Sequence, residues 1–284
     1  MKRIITIGCL SIWIVVLFQL VACAPMKEVD AEDFAPAAID TPAAPVSVAA
    51  AGPSCADPTP KMTFGCRAQT EQILASTVRL ELHGPGGGIG HGTIFGGRYL
   101  FTHNHYPVSG EALSRGGDGL VSAVSVLKAN GDVILLKAPL SYYNVILIGP
   151  ESLVLDFREY GGVGFFDSVG VPSAEIASLH NLTIQPGNEV AQIDWDMMIA
   201  RVTWARVTAV HVEGDTPYVE LDSFVEQGAS GGGVFYNGIH IANNWSRNID
   251  RQAETGEVLR RYSLAALNIA PLIQNSTGIA STGN

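Results

Sequence analysis

Short apolar/polar runs separated by glycine-rich turns recur along most of this chain, and that spacing is what most restricts its fold. Ser76-Thr77-Val78-Arg79-Leu80-Glu81-Leu82 alternates as a half-buried strand does, and Gly84 to Gly90 is a glycine loop leading into the next strand. That run lacks the lysine and following helix of a phosphate loop, so it reads as a turn. Val121 to Leu127 and Asp132 to Leu136 flank Asn130-Gly131, the strongest short hairpin signal. Val145 to Gly149, Leu153 to Phe157, Gly187 to Ile193, Val202 to Val212 and Tyr218 to Leu221 continue the series. Gly232 to Tyr236, Asn237-Gly238 and Ile239 to Trp245 form a further hairpin. With 31 glycines and 15% charged residues, the composition suits a compact all-β protein.

The N-terminal part has a different character. Lys2 and Arg3 precede an apolar stretch from Ile4 to Val21, the build of a signal peptide over residues 1–22. Leu20-Val21-Ala22-Cys23 resembles the bacterial lipobox, which implies cleavage before Cys23 and acylation of its thiol and amino group. A plain transmembrane anchor is the alternative, and either way the body of the protein lies outside the cytoplasm. From Ala24 to about Pro60 the chain is rich in Ala, Pro, Asp, Glu and Ser, too poor in large apolar residues to fold, so residues 23–65 read as a flexible, lipid-anchored tether. Cys55 and Cys66 are then the even pair left in an oxidising compartment, and a disulfide between them pins the tether to the domain. The net charge of -10, with no basic cluster, argues against nucleic acid as a partner.

Chemistry concentrates in two motifs. Gly228-Ala229-Ser230-Gly231-Gly232-Gly233 sits between two strand-like runs, and Phe101-Thr102-His103-Asn104-His105-Tyr106 lies far upstream. A serine hydroxyl needs an imidazole within hydrogen-bond reach to become a nucleophile at neutral pH. Flanking glycines let the backbone turn sharply and bare its amides, as an oxyanion hole requires. Ser230 is thus the candidate nucleophile and His105 the candidate base, with the amides of Gly228 and Ser230 forming the hole. The competing readings are a simple turn around Ser230 and a metal-ligand pair made by His103 and His105 on one strand face. Order and context favour the nucleophile, with no metal or cofactor.

That context resembles trypsin-like serine peptidases of the chymotrypsin fold, closest in style to the HtrA/Deg type. Gly92-Thr93-Ile94-Phe95 followed by Leu100-Phe101-Thr102-His103-Asn104-His105 is similar to the family's entry to its catalytic histidine, with Thr102 to His105 matching T-x-x-H. Gly228-Ala229-Ser230-Gly231-Gly232 matches G-x-S-G-G, with Ala229 in place of the usual Asp or Asn and Gly233 in place of Pro. Ala229 offers no partner to a newly freed N-terminus, which argues against activation of the trypsin type. Gly187-Asn188-Glu189-Val190-Ala191-Gln192-Ile193 resembles the strand opening the second barrel of HtrA-like enzymes. The resemblance runs from about Ser76 to Leu272. It implies two six-stranded antiparallel β-barrels at about 74–160 and 187–265 within a domain of residues 66–275, with a short C-terminal helix and a disordered tail at 276–284. It also implies a substrate-binding strand after the nucleophile, here His240 to Trp245. Asn243 falls where a small polar residue supports the triad, and Phe224 stands where trypsin-like pockets carry an acid. A preference for Lys or Arg is therefore unsupported, and walls of Phe224 and Trp245 suit apolar or small side chains.

The acid is open at this level. Family position favours Glu151, which opens a strand, whereas residue type favours Asp156 or Asp167. Asp196 opens the best-looking motif, Asp196-Met197-Met198-Ile199-Ala200, but lies only 34 residues before Ser230, in a second-barrel hairpin loop read as Asp194-Trp195-Asp196. Glu151 and Asp156 rank level, ahead of Asp167 and Asp196. The resemblance implies an exported serine endopeptidase acting on peptide or protein substrates through an acyl-enzyme, held on a membrane in the periplasm or at the cell surface. The alternative is an inactive relative serving as a binding lipoprotein.

Overall fold

The computed structural model describes residues 54–56, 64–84, 87–103, 121–139, 144–149, 152–157, 164–176, 183–213 and 216–267, all within one compact unit. The signal segment, Cys23, most of the tether, His105, Glu151, the expected C-terminal helix and the tail lie outside the described residues.

Two antiparallel sheets carry the fold. In the first, β1 (Thr77–His83) pairs with β2 (Gly88–Phe95) on one side and β4 (Ala123–Lys128) on the other. With β3 (Tyr99–His103), β5 (Val133–Pro139), β6 (Asn144–Gly149) and β7 (Ser152–Asp156), the order is β5-β4-β1-β2-β3-β7-β6. That is seven strands, one more than expected for this half. The second sheet closes into a six-stranded barrel, β10-β13-β12-β11-β8-β9. Its strands are β8 (Glu189–Trp195), β9 (Ala200–Glu213), β10 (Thr216–Leu221), β11 (Gly233–Tyr236), β12 (Ile239–Arg251) and β13 (Val258–Leu267).

Alternation in the sequence becomes burial in the sheet. Val78, Leu80 and Leu82 of β1 point into the first core with Ile94, Leu100 and Leu155, while Arg79 and Glu81 between them are half-buried. Val190, Val207, Leu221, Val234 and Ile241 fill the barrel. Each such side chain contributes roughly 1.5–3 kcal/mol by leaving water. The Asn237-Gly238 turn between β11 and β12 has φ of 53° and 81°, the two positive values a type I′ hairpin demands and these residue types supply.

Helices are few. α2 (Phe165–Ser168) is a single turn that buries Phe166 against Phe157, with ring centroids 4.9 Å apart. α1 (Phe64–Ala75) was not expected, because FGCRAQTEQILA shows no continuous apolar stripe. It buries Cys66 and Ile73, and the Ile73 carbonyl accepts Thr77 Oγ1 at 2.8 Å. Cys66 is disulfide-bonded to Cys55, as expected. Cys55 N–H donates to Glu189 Oε2 at 2.9 Å, so the bond fastens this stretch to the start of β8.

The two sheets meet through backbone hydrogen bonds. Ala200 N–H donates to the Ala129 carbonyl at 3.2 Å, and the segment after α2 touches both halves, with Ala174 N–H bonding Ile94 and His240 N–H bonding Glu175. Cys55 and Cys66 are 11 positions apart, so opening their loop should release chain entropy worth about 3 kcal/mol. Urea unfolding of Cys66→Ala should show a loss of that order, matched by the wild type in reductant. An unchanged midpoint in both would mean that the bond constrains nothing.

Candidate active site

The loop from β10 to β11 carries Ser230, and its shape follows from its glycines. Gly228 and Gly231 have φ of 104° and 77°, a region that residues with a Cβ avoid. Space is equally restrictive: a Cβ on Gly231 would lie 2.5 Å from the His91 carbonyl oxygen, and one on Gly228 would lie 3.0 Å from the Trp195 indole.

Hydrogen bonds then fix the peptide planes. The Ala229 carbonyl accepts from Gly232 N–H at 3.0 Å and from Asn244 Nδ2 at 3.1 Å. A trans peptide points its N–H opposite its C=O, so these two bonds also aim the Ser230 N–H. The Gly228 carbonyl is held by His91 Nδ1 at 2.8 Å, while Ala229 N–H donates to Glu226. The Ser230 carbonyl accepts His91 N–H at 2.9 Å, and Gly231 N–H donates to the Asn244 carbonyl at 3.0 Å. Asn244 is itself held: its Oδ1 accepts Gln192 Nε2 at 2.7 Å and its Nδ2 also reaches the Ile193 carbonyl at 2.6 Å. The amides of Gly228 and Ser230 are therefore carried on a backbone braced from both sheets.

A cavity of about 170 Å³ opens beside Ser230, lined by Val225, Glu226, Gln227, Asn244, Trp245 and Arg247 among others. Its size suits one side chain rather than a whole ligand. Trp245 lines it, and Phe224 and Asn243 do not. Arg247 and Arg261 stand over the Phe224 ring, 5.3 and 5.6 Å from its centroid. The wall expected to be apolar instead carries a Glu226–Arg247 ion pair at 3.2 Å. Asn243 is fully buried and joins the sheets: its Nδ2 donates to the Thr102 carbonyl at 3.3 Å and its Oδ1 accepts His240 Nε2–H at 3.1 Å.

β3 leads from Tyr99 to His103, two residues short of His105, and His103 is fully buried. Opposite it in register is Ser152, the residue after Glu151. The described acids lie elsewhere. Asp156 is buried at the other end of the pair, opposite Tyr99 and about 13 Å along the strand from His103. There it binds Arg98 Nε at 3.1 Å. Asp167 lies in α2, close enough to Gly97 that a Cβ there would stand 3.0 Å from its Oδ2. Asp196 is exposed, and its Oδ1 accepts the backbone N–H groups of Ile199 and Met198 at 2.8 and 3.0 Å, which hold its carboxyl below the usual range. It caps the β8–β9 hairpin.

That hairpin loop is Asp196 to Ile199, shifted from the expected Asp194-Trp195-Asp196. Asp194 and Trp195 close β8. Asp194 is buried and receives Arg201 Nη2 at 2.7 Å and the Glu226 N–H at 2.8 Å, which ties the cavity rim to β8.

No family model matches the chain, and no curated protein is similar to it in sequence. Solved structures are similar in fold. The Rv3671c protease in its inactive form has 16% identity and a TM-score of 0.52, over 79% of this chain and 98% of that one. The HtrA-type protease AlgW with tripeptide and Deg5 have 14% and 15% identity, with TM-scores of 0.49. They match 73% and 74% of this chain and 61% and 91% of their own, so this chain spans about 61% of AlgW's length. The fold is that of the chymotrypsin-like proteases.

Two buried histidines make the site sensitive to acid. Burial pushes His91 from 6.5 down to about 4 and His240 down to about 3, so both are neutral in the folded protein at pH 7. The unfolded chain takes up these protons near pH 6.5, earlier than the folded one, so this stability is full above about pH 7 and is lost as pH falls toward 4 for His91 and toward 3 for His240. The thermal midpoint should decline across that window, less steeply in His240→Gln. Equal slopes in the two proteins would remove His240 from the explanation.

Proposed function

We propose that the chain is an exported serine endopeptidase that cleaves peptide bonds through an acyl-enzyme, without a cofactor. The observation that carries this reading is the pair of anchored peptide planes around Ser230, beside a side-chain-sized cavity and next to β3, which ends two residues before His105. Ser230 Oγ adds to the substrate carbonyl carbon as His105 takes its proton. The Gly228 and Ser230 amides receive the charge that develops on the carbonyl oxygen. When the tetrahedral adduct collapses, the C–N bond breaks and the amine leaves with the proton from His105. Water, deprotonated by the same histidine, then releases the acid and regenerates Ser230.

Glu151 is our choice for the carboxylate behind His105. It directly precedes Ser152, which faces His103 in the β3–β7 register, whereas Asp156 serves Arg98 and Asp196 serves a hairpin. Glutamate has one methylene more than aspartate, which a strand start displaced by a fraction of a residue absorbs. The Glu226–Arg247 pair beside Trp245 favours a P1 side chain that can bond to either charge over a purely apolar one. Acylation at Cys23 would hold the enzyme on a membrane outside the cytoplasm, with residues 23–65 as its tether.

Ser230→Ala and His105→Ala should each abolish hydrolysis of a peptide library, with similar losses because the two act as a unit. Glu151→Gln should lower kcat by about four orders of magnitude. Asp156→Asn should lower stability while leaving kcat within about tenfold. A loss confined to Asp156→Asn would reverse the choice of acid, and undiminished hydrolysis by Ser230→Ala would refute the mechanism. A wild type that binds peptides without cleaving them would be the binding lipoprotein instead. Mass spectrometry of the mature N-terminus should find acylated Cys23, and an unmodified terminus elsewhere would refute the anchor.

A further inference from the structure

We infer that His91 is a positioning residue for the oxyanion hole, holding the Gly228 end of the nucleophile loop through its Nδ1–H. This inference rests on the peptidase reading for its catalytic consequence, but its geometry stands on the described residues alone. His91 lies in β2, in the opposite sheet from Ser230, and is completely buried. It grips the loop twice. The ring Nδ1 is 2.8 Å from the Gly228 carbonyl oxygen, and the backbone N–H is 2.9 Å from the Ser230 carbonyl oxygen. Its own carbonyl accepts Thr102 Oγ1 at 2.6 Å, which ties the same residue to β3.

The chemistry of this contact fixes the state of the ring. A carbonyl oxygen only accepts, so Nδ1 must carry the proton and Nε2 must present a bare lone pair. Nε2 is buried with no hydrogen-bond partner among the described residues. An orphaned polar atom of this kind is destabilising, a cost that a purely structural position would avoid by carrying an apolar side chain. What the imidazole adds is a donor at one defined point on a flat ring that also packs against Trp195, with centroids 5.4 Å apart at 58°.

The consequence falls on Gly228. At φ 104° and without a Cβ, its backbone has more freedom than that of any other residue type, and with its carbonyl released the Gly228–Ala229 plane would keep the Ala229 N–H bond to the Glu226 carbonyl, at 3.1 Å, but lose its anchor to the opposite sheet. That plane lies between the two that carry the proposed oxyanion donors, Gln227–Gly228 and Ala229–Ser230, so holding it fixes the turn that sets the Gly228 and Ser230 N–H groups relative to each other. Trp195 blocks one direction of movement, and the His91 hydrogen bond supplies the attraction.

Three substitutions separate donor from shape. His91→Asn places an amide nitrogen where Nδ1 stands. His91→Gln moves it to the Nε2 position, and His91→Phe keeps a ring for Trp195 with no donor. Amide hydrogen exchange across residues 225–232 and steady-state kinetics on a peptide substrate are the readouts. In His91→Phe and His91→Gln the loop should exchange at least tenfold faster while β13 keeps its wild-type protection. In these variants kcat should fall by about 10²–10³ with KM within about twofold, the signature of a lost oxyanion donor. His91→Asn should stay within tenfold of wild type in both. Should His91→Phe fail to fold, the Asn and Gln pair still decides. Wild-type loop exchange in His91→Gln, or His91→Asn as impaired as His91→Gln, would overturn the inference. If the wild type cleaves nothing, the peptidase reading fails while the exchange data still decide whether His91 anchors the loop.

Discussion

The site depends on a constraint of the peptide group: a planar trans unit cannot aim its N–H without also aiming its C=O in the opposite direction. An amide is therefore aimed from behind, through the carbonyl of the preceding residue, as the Ser230 N–H is through the Ala229 carbonyl. The Gly228, Ala229 and Ser230 carbonyls are held by His91 Nδ1, by Gly232 N–H with Asn244 Nδ2, and by His91 N–H. Two residues, one from each sheet, supply most of this bracing. Their side chains are buried, where hydrogen bonds are shielded from competition with water and any unmade bond is expensive.

The same economy links the halves of the molecule around the site. Asn243 and Asn244 are neighbours on β12 whose side chains point to opposite faces. Asn243 reaches across to the Thr102 carbonyl near the end of β3, and Asn244 reaches into the barrel toward Gln192 and the nucleophile loop. Gln192 continues inward to Ser263 at 3.0 Å, so a chain of polar groups runs through an otherwise apolar barrel. Such a network is rigid only when fully satisfied, which suits a loop that must keep one shape. The Asp194–Glu226 contact adds a second strut on the cavity side.

Much of the architecture was legible because it rests on local rules. Alternation placed β1, and Asn130-Gly131 and Asn237-Gly238 placed their hairpins, since a positive φ, at Gly131 in the first and at both residues in the second, admits few residue types. β13 was missed: Val258 to Arg261 is exposed at the barrel rim, so Val258-Leu259-Arg260-Arg261 shows no alternation between core and solvent. α1 was missed because its burial comes from a disulfide and a few contacts rather than from a stripe. The site was legible only in its glycines and serine. Asp196 looked like a triad acid because a carboxylate before an apolar run also describes a hairpin cap, and only its hydrogen bonds distinguish the two. Phe224 was expected to line the cavity, but two arginines from β12 and β13 cover it, a contact between residues far apart in sequence. His91 gave no signal, since its role is set by a carbonyl 137 positions away.

In the proposed enzyme the braced loop makes Ser230 a nucleophile. Exposure of the purified protein to a fluorophosphonate, followed by peptide mapping, tests it most directly, because only an activated serine beside a working oxyanion hole reacts rapidly with such a phosphorus centre. A single covalent adduct per chain is expected, on Ser230, forming faster at pH 8 than at pH 5. No adduct, or one placed on another residue, would contradict it.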